Sequence, residues 1–309
     1  MSAIIVLLLS LFATVQGAAL STKYAEKFAE GFRVSRFTVG FIIVSFVSIL
    51  PETMIAISAA FQDQPEFGIG TIMGSSVADL TLVFAIITFA AGKSGLRVEK
   101  QLANKLLAYP LFLSIPMFLG LDGNYSRAEG ITMIIVGVIF YIFIFSKSVN
   151  ISGGPRDVDS KYRWRNVSFL ILSLLLLLFG AYFTVESATE LAHRLGVAPV
   201  LIGILIVGLG AVIPELAFSY KAVKDRQPSL AVGDIMGSVL AATTVVIGLL
   251  ALIHPFDFPA RITYVAGILM VVSSIILVFF IKSHYRIKRP EAVILLLIWL
   301  TYVLVEILV

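Results

Sequence analysis

Cysteine is absent from the 309 residues, which removes disulfides, thiolate metal sites and cysteine nucleophiles from consideration. Charge is scarce as well: Asp, Glu, Lys and Arg make up 14%, against about 25% in a soluble domain. Histidine occurs only three times. His254 and His284 sit at the ends of apolar runs without paired acids, so a histidine metal site there is not expected. No HExxH zinc motif occurs. GDIMG around Asp234 lacks both the preceding glycine and the second aspartate motif of an aspartyl intramembrane protease. The chain is therefore read as something other than an enzyme.

What fills the sequence is apolar: 59% hydrophobic residues and a mean hydropathy of +1.01. Runs of roughly 20 residues recur, each able to cross about 30 Å of hydrocarbon as a helix. Ten are expected, approximately at 3–22, 37–61, 67–92, 103–121, 128–146, 167–190, 198–220, 229–254, 260–281 and 290–308. Apolar and polar residues do not alternate, which excludes a transmembrane barrel. The first run has small residues near its end like a signal peptide, but it lacks a basic leading region and reads as the first helix. The basic residues divide unevenly between alternate connecting segments: 20 of the 23 Lys and Arg lie on one side, with only Arg127, Arg194 and Arg261 on the other. Positive loops stay cytoplasmic, so both termini are expected outside a cell membrane that the chain crosses many times. The same distribution explains a pI near 9.2 without nucleic acid.

The chain repeats itself. Residues 34–82 align with 197–245 without a gap, at the 163-residue separation of Glu52 from Glu215. Pro51 falls on Pro214, Gln64-Pro65 on Gln227-Pro228, and IMGS at 72–75 on IMGS at 235–238. Gly17-Ala18 matches Gly180-Ala181. Five helices per copy is an odd number, so the second copy enters the membrane inverted. The expected fold is an all-α integral membrane protein of about ten helices in two inverted five-helix repeats: residues 1–150 with the motif at 40–82, a polar cytoplasmic linker at 151–166, and 167–309 with the motif at 203–245. Such repeats are the architecture of secondary transporters, whose sites lie near the midplane where broken helices meet.

SILPETMIAI, residues 48–57, sets a proline and a carboxylate inside a membrane span. Glu52 lies about 15 residues into the second run, or roughly 22 Å along a helix, and Glu215 occupies the equivalent place in the seventh. Each neighbouring proline removes a backbone donor and frees carbonyls around Ser48 and Ala211. Freed carbonyls at membrane depth are tolerated where they hold an ion or line a cavity. Two carboxylates with backbone oxygens suit a hard cation such as Ca²⁺.

At these residues the sequence resembles the calcium/cation antiporter superfamily, and prokaryotic sodium/calcium exchangers in particular. The family pattern G-x-x-x-x-A-x-G-T-S-x-P-E followed by G-N-x-x-G-S-N corresponds to GFIIVSFVSILPE (40–52) with GTIMGSSVAD (70–79), and to GILIVGLGAVIPE (203–215) with GDIMGSVLAA (233–242). The resemblance implies that Glu52 and Glu215 bind Ca²⁺ with main-chain carbonyls near Ser48 and Ala211. It also implies that Ser75 and Ser238 line coupling-ion sites. Two features depart from the pattern. The Thr-Ser pair is Ser48-Ile49 in one copy and Ala211-Val212 in the other, so hydroxyl ligands for Na⁺ are fewer. Two acids stand where the pattern has asparagine: Asp79, with Ala242 as its counterpart, and Asp234, with Thr71 as its counterpart.

Four carboxylates in one cavity carry twice the charge that one Ca²⁺ neutralises, so some hold protons when cations are absent. Asp79, Asp234, Ser75, Ser238, Ser45 and Thr71 are accordingly the coupling-ion candidates, for Na⁺ or H⁺. The expected activity is exchange of Ca²⁺, or a related cation, for Na⁺ by alternating access, with H⁺ as the alternative counter-ion. The expected partners are the lipid bilayer and inorganic cations, with no cofactor, no nucleic acid and a functional monomer. Glu186, Glu190, His193 and Glu306 are expected at solvated outer helix ends.

Overall fold

The computed structural model describes residues 2–29, 49–145 and 160–308. Ten helices account for them: α1 (Ser2–Ala29), α2 (Leu50–Phe61), α3 (Pro65–Ala90), α4 (Leu102–Leu119), α5 (Arg127–Phe145), α6 (Ser160–Leu195), α7 (Pro199–Lys224), α8 (Pro228–Ile253), α9 (Ala260–His284) and α10 (Arg289–Leu308). Among the described residues, eight of them are long and apolar enough to cross a membrane. Among the described residues each of the ten apolar runs contains a helix, the second only from Leu50 onward, and the chain is a multi-pass membrane protein. Helix α6 reaches back to Ser160, into the segment read as a linker; 146–159 lie outside the described residues.

Burial sorts the helices into a centre and a rim. Helices α3 and α8 are each 83% buried, whereas α6 and α10 are 28% and 22% buried. The two central helices carry the IMGS segments, so the repeated sequence is the part withdrawn from lipid. Helices α1 and α6 pair with each other and turn Leu8, Leu9, Phe12, Leu172 and Phe179 outward, as lipid contact requires. Glycines set how closely helices approach. A Cβ on Gly17 of α1 would lie 2.6 Å from the Leu177 backbone nitrogen, and one on Gly180 of α6 would lie 2.6 Å from that of Thr14. Small residues at such crossings let backbones touch where no hydrophobic force drives association. The hydroxyls along this seam, at Ser10, Thr14, Ser21 and Thr184, donate to carbonyls of their own helix.

The inverted repeat is visible in backbone detail. The α2–α3 and α7–α8 turns share one conformation: Asp63 and Arg226 have φ of 55° and 60°, and the Gln64 and Gln227 amides donate to the Ala59 and Ala222 carbonyls, both at 2.8 Å. Proline follows each glutamine at the helix start, where its missing N–H costs nothing. Two short antiparallel ribbons also form a matched pair. Leu96–Arg97 pairs with Arg286–Ile287, and Asn124–Tyr125 with Phe256–Asp257. The first joins the α3–α4 and α9–α10 loops and the second joins α4–α5 and α8–α9, so exchanging the repeats maps one ribbon onto the other.

Helices α3 and α8 are interrupted at equivalent places by π turns, Asp79–Val83 and Ala242–Val246. Two more occur at Gly203–Val207 in α7 and Thr263–Gly267 in α9. A π turn inserts one residue into the helical ladder and is frequent at functional sites. In α3 it begins at Asp79.

Gly74 of α3 faces α7 so closely that a Cβ would lie 2.5 Å from the Ile204 carbonyl oxygen. Because the obstacle is backbone, Gly74→Leu is expected to cost about 1–3 kcal/mol or more by overpacking, seen as a lower melting midpoint of the purified protein. An unchanged midpoint would mean that the α3–α7 contact is not close-packed.

Candidate cation-binding site

Glu52 and Glu215 occupy the same position in two half-helices. In α2, Ile49 caps the helix and Pro51 and Glu52 fall in its first turn. In α7, the chain breaks at Val212, and Pro214 and Glu215 fall in the first turn of the segment Ile213–Lys224. Proline favours a helix start because its N–H would be an orphan there in any case. A carboxylate in the first turn meets the positive end of the helix dipole, which offsets part of its desolvation. Each Pro-Glu pair is thus a helix beginning set inside the protein. Pro214 has no proton to give to Gly210, and that carbonyl accepts instead from a backbone N–H at the break, next to Ala211.

Four acids are withdrawn from solvent: Glu52 and Glu215 at 2% exposure, Asp79 at 3% and Asp234 at 0%. They form one electrostatic group. Asp79 interacts with Glu215, Glu52 and Asp234, and Glu215 with Glu52. Asp79 and Glu215 lie near enough for their carboxyls to share a hydrogen bond, which would form only with a proton between them. The Ser238 hydroxyl donates to Glu215 Oε1. Glu52 Oε2 and Asp79 Oδ1 are buried without a hydrogen-bond donor, and unsatisfied carboxylate oxygens in a dry interior are costly unless a cation or proton meets them. Among the described residues, no three His, Asp or Glu side chains converge as a ready metal cluster; carbonyl, hydroxyl or water oxygens are the other ligands a hard cation takes.

The coupling-ion candidates are placed unequally. Ser75 lies on α3, its hydroxyl donating to the Ile72 carbonyl at 3.0 Å. Ser238 makes the matching bond to Ile235 at 2.9 Å and additionally reaches Glu215. Thr71 donates to the Phe67 carbonyl at 3.0 Å and packs beside Gly203 of α7, a helix-contact position. Ala211 is buried at the α7 break. Ser48 and Ser45 lie outside the described residues.

Two tyrosines beside the acids were not anticipated from sequence. Tyr109 of α4 is fully buried, its hydroxyl without a partner, and it lies within electrostatic reach of Asp79 and Glu215. Tyr141 of α5 donates to the Gly237 carbonyl at 2.9 Å, next to Ser238, within reach of Asp234 and Glu215. The available signal was a hydroxylated aromatic in the interior of an apolar run rather than at its end. One expectation is corrected: Glu306 is not at a solvated end. It is 3% exposed, and the Arg261 guanidinium reaches across from α9 at 3.3 Å to hold it. Its burial follows from that partner, one of the three basic residues off the basic side. His254 also has an acid nearby, Asp63 at 3.8 Å. Glu190 behaves as expected, half exposed and paired with Arg194.

Inverted repeats of membrane helices around a buried acid cluster define an ion exchanger of the secondary-transporter class, and no enzyme. The sequence profile of the family described as sodium/calcium exchanger protein matches residues 2–146 and 166–308, and the chain belongs to that family. It is 24% identical to the sodium/calcium exchanger MaX1 of Methanosarcina acetivorans over 97% of both chains. Its fold matches the crystal structure of the H⁺/Ca²⁺ exchanger CAX with a TM-score of 0.81 and 17% identity, over 99% of this chain and 86% of that one. It matches the sodium-calcium exchanger NCX_Mj, in crystals soaked with 10 mM Na⁺, with a TM-score of 0.70 and 24% identity over 98% of both.

The tyrosines give a differential test. Tyr141→Phe removes the hydroxyl bond to the Gly237 carbonyl and is expected to cost about 1 kcal/mol of stability, whereas Tyr109→Phe removes a hydroxyl without a partner and is expected to be neutral or stabilising. Thermal unfolding of both purified variants distinguishes them, and an equal loss in Tyr109→Phe would show that its hydroxyl is bonded.

Proposed function

We propose that the protein is a secondary antiporter that binds Ca²⁺, or a related cation, at Glu52 and Glu215, with main-chain oxygens near Ser48 and Ala211 completing the shell. The observation that carries this reading is the placement of two buried carboxylates at equivalent half-helix starts, one from each inverted repeat. A divalent ion between them would supply the two positive charges that the pair lacks. Carbonyls beside each proline would supply neutral ligands without adding charge. Cation and counter-ion share one acid cluster, so binding of one opposes binding of the other, and that competition makes exchange obligatory.

The resemblance implies Na⁺ as counter-ion, with Ser75, Ser238, Ser45 and Thr71 as candidate ligands. The contact between Asp79 and Glu215 favours H⁺. A proton shared between them would occupy a carboxylate that Ca²⁺ needs, so Ca²⁺ entry would expel it. Asp79 and Asp234 are then the proton-carrying groups. Alternating access would come from α1 and α6, whose seam is built of small residues and self-satisfied hydroxyls and so can shift without stranding polar groups. On this reading the repeats span 1–150 and 167–309 about a linker at 151–166, both termini face outward, and one chain suffices for transport.

Calcium uptake into proteoliposomes under an outward Na⁺ or an outward H⁺ gradient separates the counter-ions. Glu52→Gln and Glu215→Gln are each expected to weaken Ca²⁺ binding by about 100-fold or more, as loss of one member of a buried charge pairing does. Retained transport in both variants would end the proposed central site. Asp79→Asn is expected to remove proton-driven uptake with a smaller effect on Ca²⁺ affinity, and an unchanged pH dependence would remove Asp79 from coupling.

A further inference from the structure

The turn between α7 and α8 and its repeat mate between α2 and α3 have the same backbone and different charge: the mate holds two acids, Asp63 and Glu66, and this turn holds Asp225 beside Arg226. In the mate, Asp63 takes the left-handed position and Glu66 lies in the first turn of α3. Acids there complement the positive helix end. In the α7–α8 turn Arg226 takes the left-handed position, Ser229 stands in place of Glu66, and the first turn of α8 contains no acid and no side-chain cap. The turn geometry therefore does not demand arginine, and the residues chosen add positive charge to an end that is already positive.

A cavity of about 350 Å³ opens at this point, lined by Arg97, Glu99, Arg226, Gln227 and Ser229 among others. Arg97 comes from the ribbon strand of the α3–α4 loop, so two separate loops bring guanidinium groups to one concavity. Neither forms an ion pair among the described residues. The Glu99 amide donates to Ser229 Oγ at 3.1 Å, which fixes the loop against the helix start and holds the cavity's shape. Glu99 is the one carboxylate lining the cavity, against two arginines and a helix end; Asp225 precedes Arg226 in the turn but is not part of the lining. Guanidinium forks and backbone amides are the groups that recognise phosphate oxygens, and Gln227 adds a neutral amide.

We propose that this cavity binds a phosphate group, carried by an anionic membrane lipid or by a soluble phosphate compound. It lies on the basic side of the molecule, in the loops that flank the membrane, where both sources are present. The site is independent of the central acids, so its failure would leave the exchange reading untouched.

The test uses the full-length protein in zwitterionic-lipid nanodiscs, with phosphatidylglycerol and inorganic pyrophosphate as separate probes. Bound probe is counted by native mass spectrometry, and thermal stabilisation is read alongside. Preferential retention of phosphatidylglycerol over phosphatidylcholine identifies the lipid source, and stabilisation by pyrophosphate alone identifies the soluble one. Either probe is expected to bind about fivefold more weakly to Arg97→Gln and to Arg226→Gly, and more tightly to Glu99→Gln. Glycine is favoured at the φ of Arg226, so Arg226→Gly separates lost binding from lost folding. Lys288→Gln, a charge removal on the same side outside the cavity, is expected to leave binding unchanged. Binding of neither probe, no loss in either arginine variant, or an equal loss in Lys288→Gln would overturn the proposal.

Discussion

Four carboxylates buried among apolar helices cannot all remain ionised without cations, and the rest of the structure is arranged around that constraint. Each ionised acid would cost several kcal/mol in such surroundings. The protein meets the cost in three ways. Glu52 and Glu215 sit in the first turns of half-helices, facing positive dipole ends. Ser238 donates a hydrogen bond to Glu215, and Asp79 lies beside the same carboxyl. Protons or bound cations would supply the remainder, and on the proposed reading this dependence turns an unfavourable cluster into a site whose occupancy responds to ion concentration.

The inverted repeat supplies the geometry for that cluster. A Pro-Glu break in one helix would give one carboxylate and a few freed carbonyls. Repeating it upside down brings a second set to the same depth from the opposite side. The central helices α3 and α8 then serve as walls, with Gly74 of α3 allowing α7, and Gly248 of α8 allowing α5, to approach within backbone contact. Where the symmetry is broken, chemistry differs between the halves. Asp79 answers to Ala242 and Asp234 to Thr71, so the acids added to the cluster come from different depths of α3 and α8. The turns at Asp63 and Arg226 break it again, in charge alone.

Much of this was legible in the sequence. The length of the apolar runs fixed the helices, the 163-residue register fixed the repeat, and Pro-Glu marked the broken spans, because each depends on composition or spacing that tertiary packing does not alter. The π turns were not legible: one extra residue at Asp79 or Ala242 hardly changes a period of 3.6 read over a long apolar helix. Tyr109 and Tyr141 were hidden because tyrosine in an apolar run is equally compatible with the lipid interface. Glu306 was misplaced because burial there depends on Arg261, a partner from another helix. The Asp79–Glu215 contact joins the two repeats, and sequence symmetry predicts equivalence between them rather than contact.

The most direct test of the central claim is the number of protons released when Ca²⁺ binds to the purified protein in weakly buffered solution. If Ca²⁺ displaces the proton held between Asp79 and Glu215, binding releases protons, and Asp79→Asn abolishes that release while Ca²⁺ still binds. Calcium binding with no proton released from the unaltered protein would contradict the account.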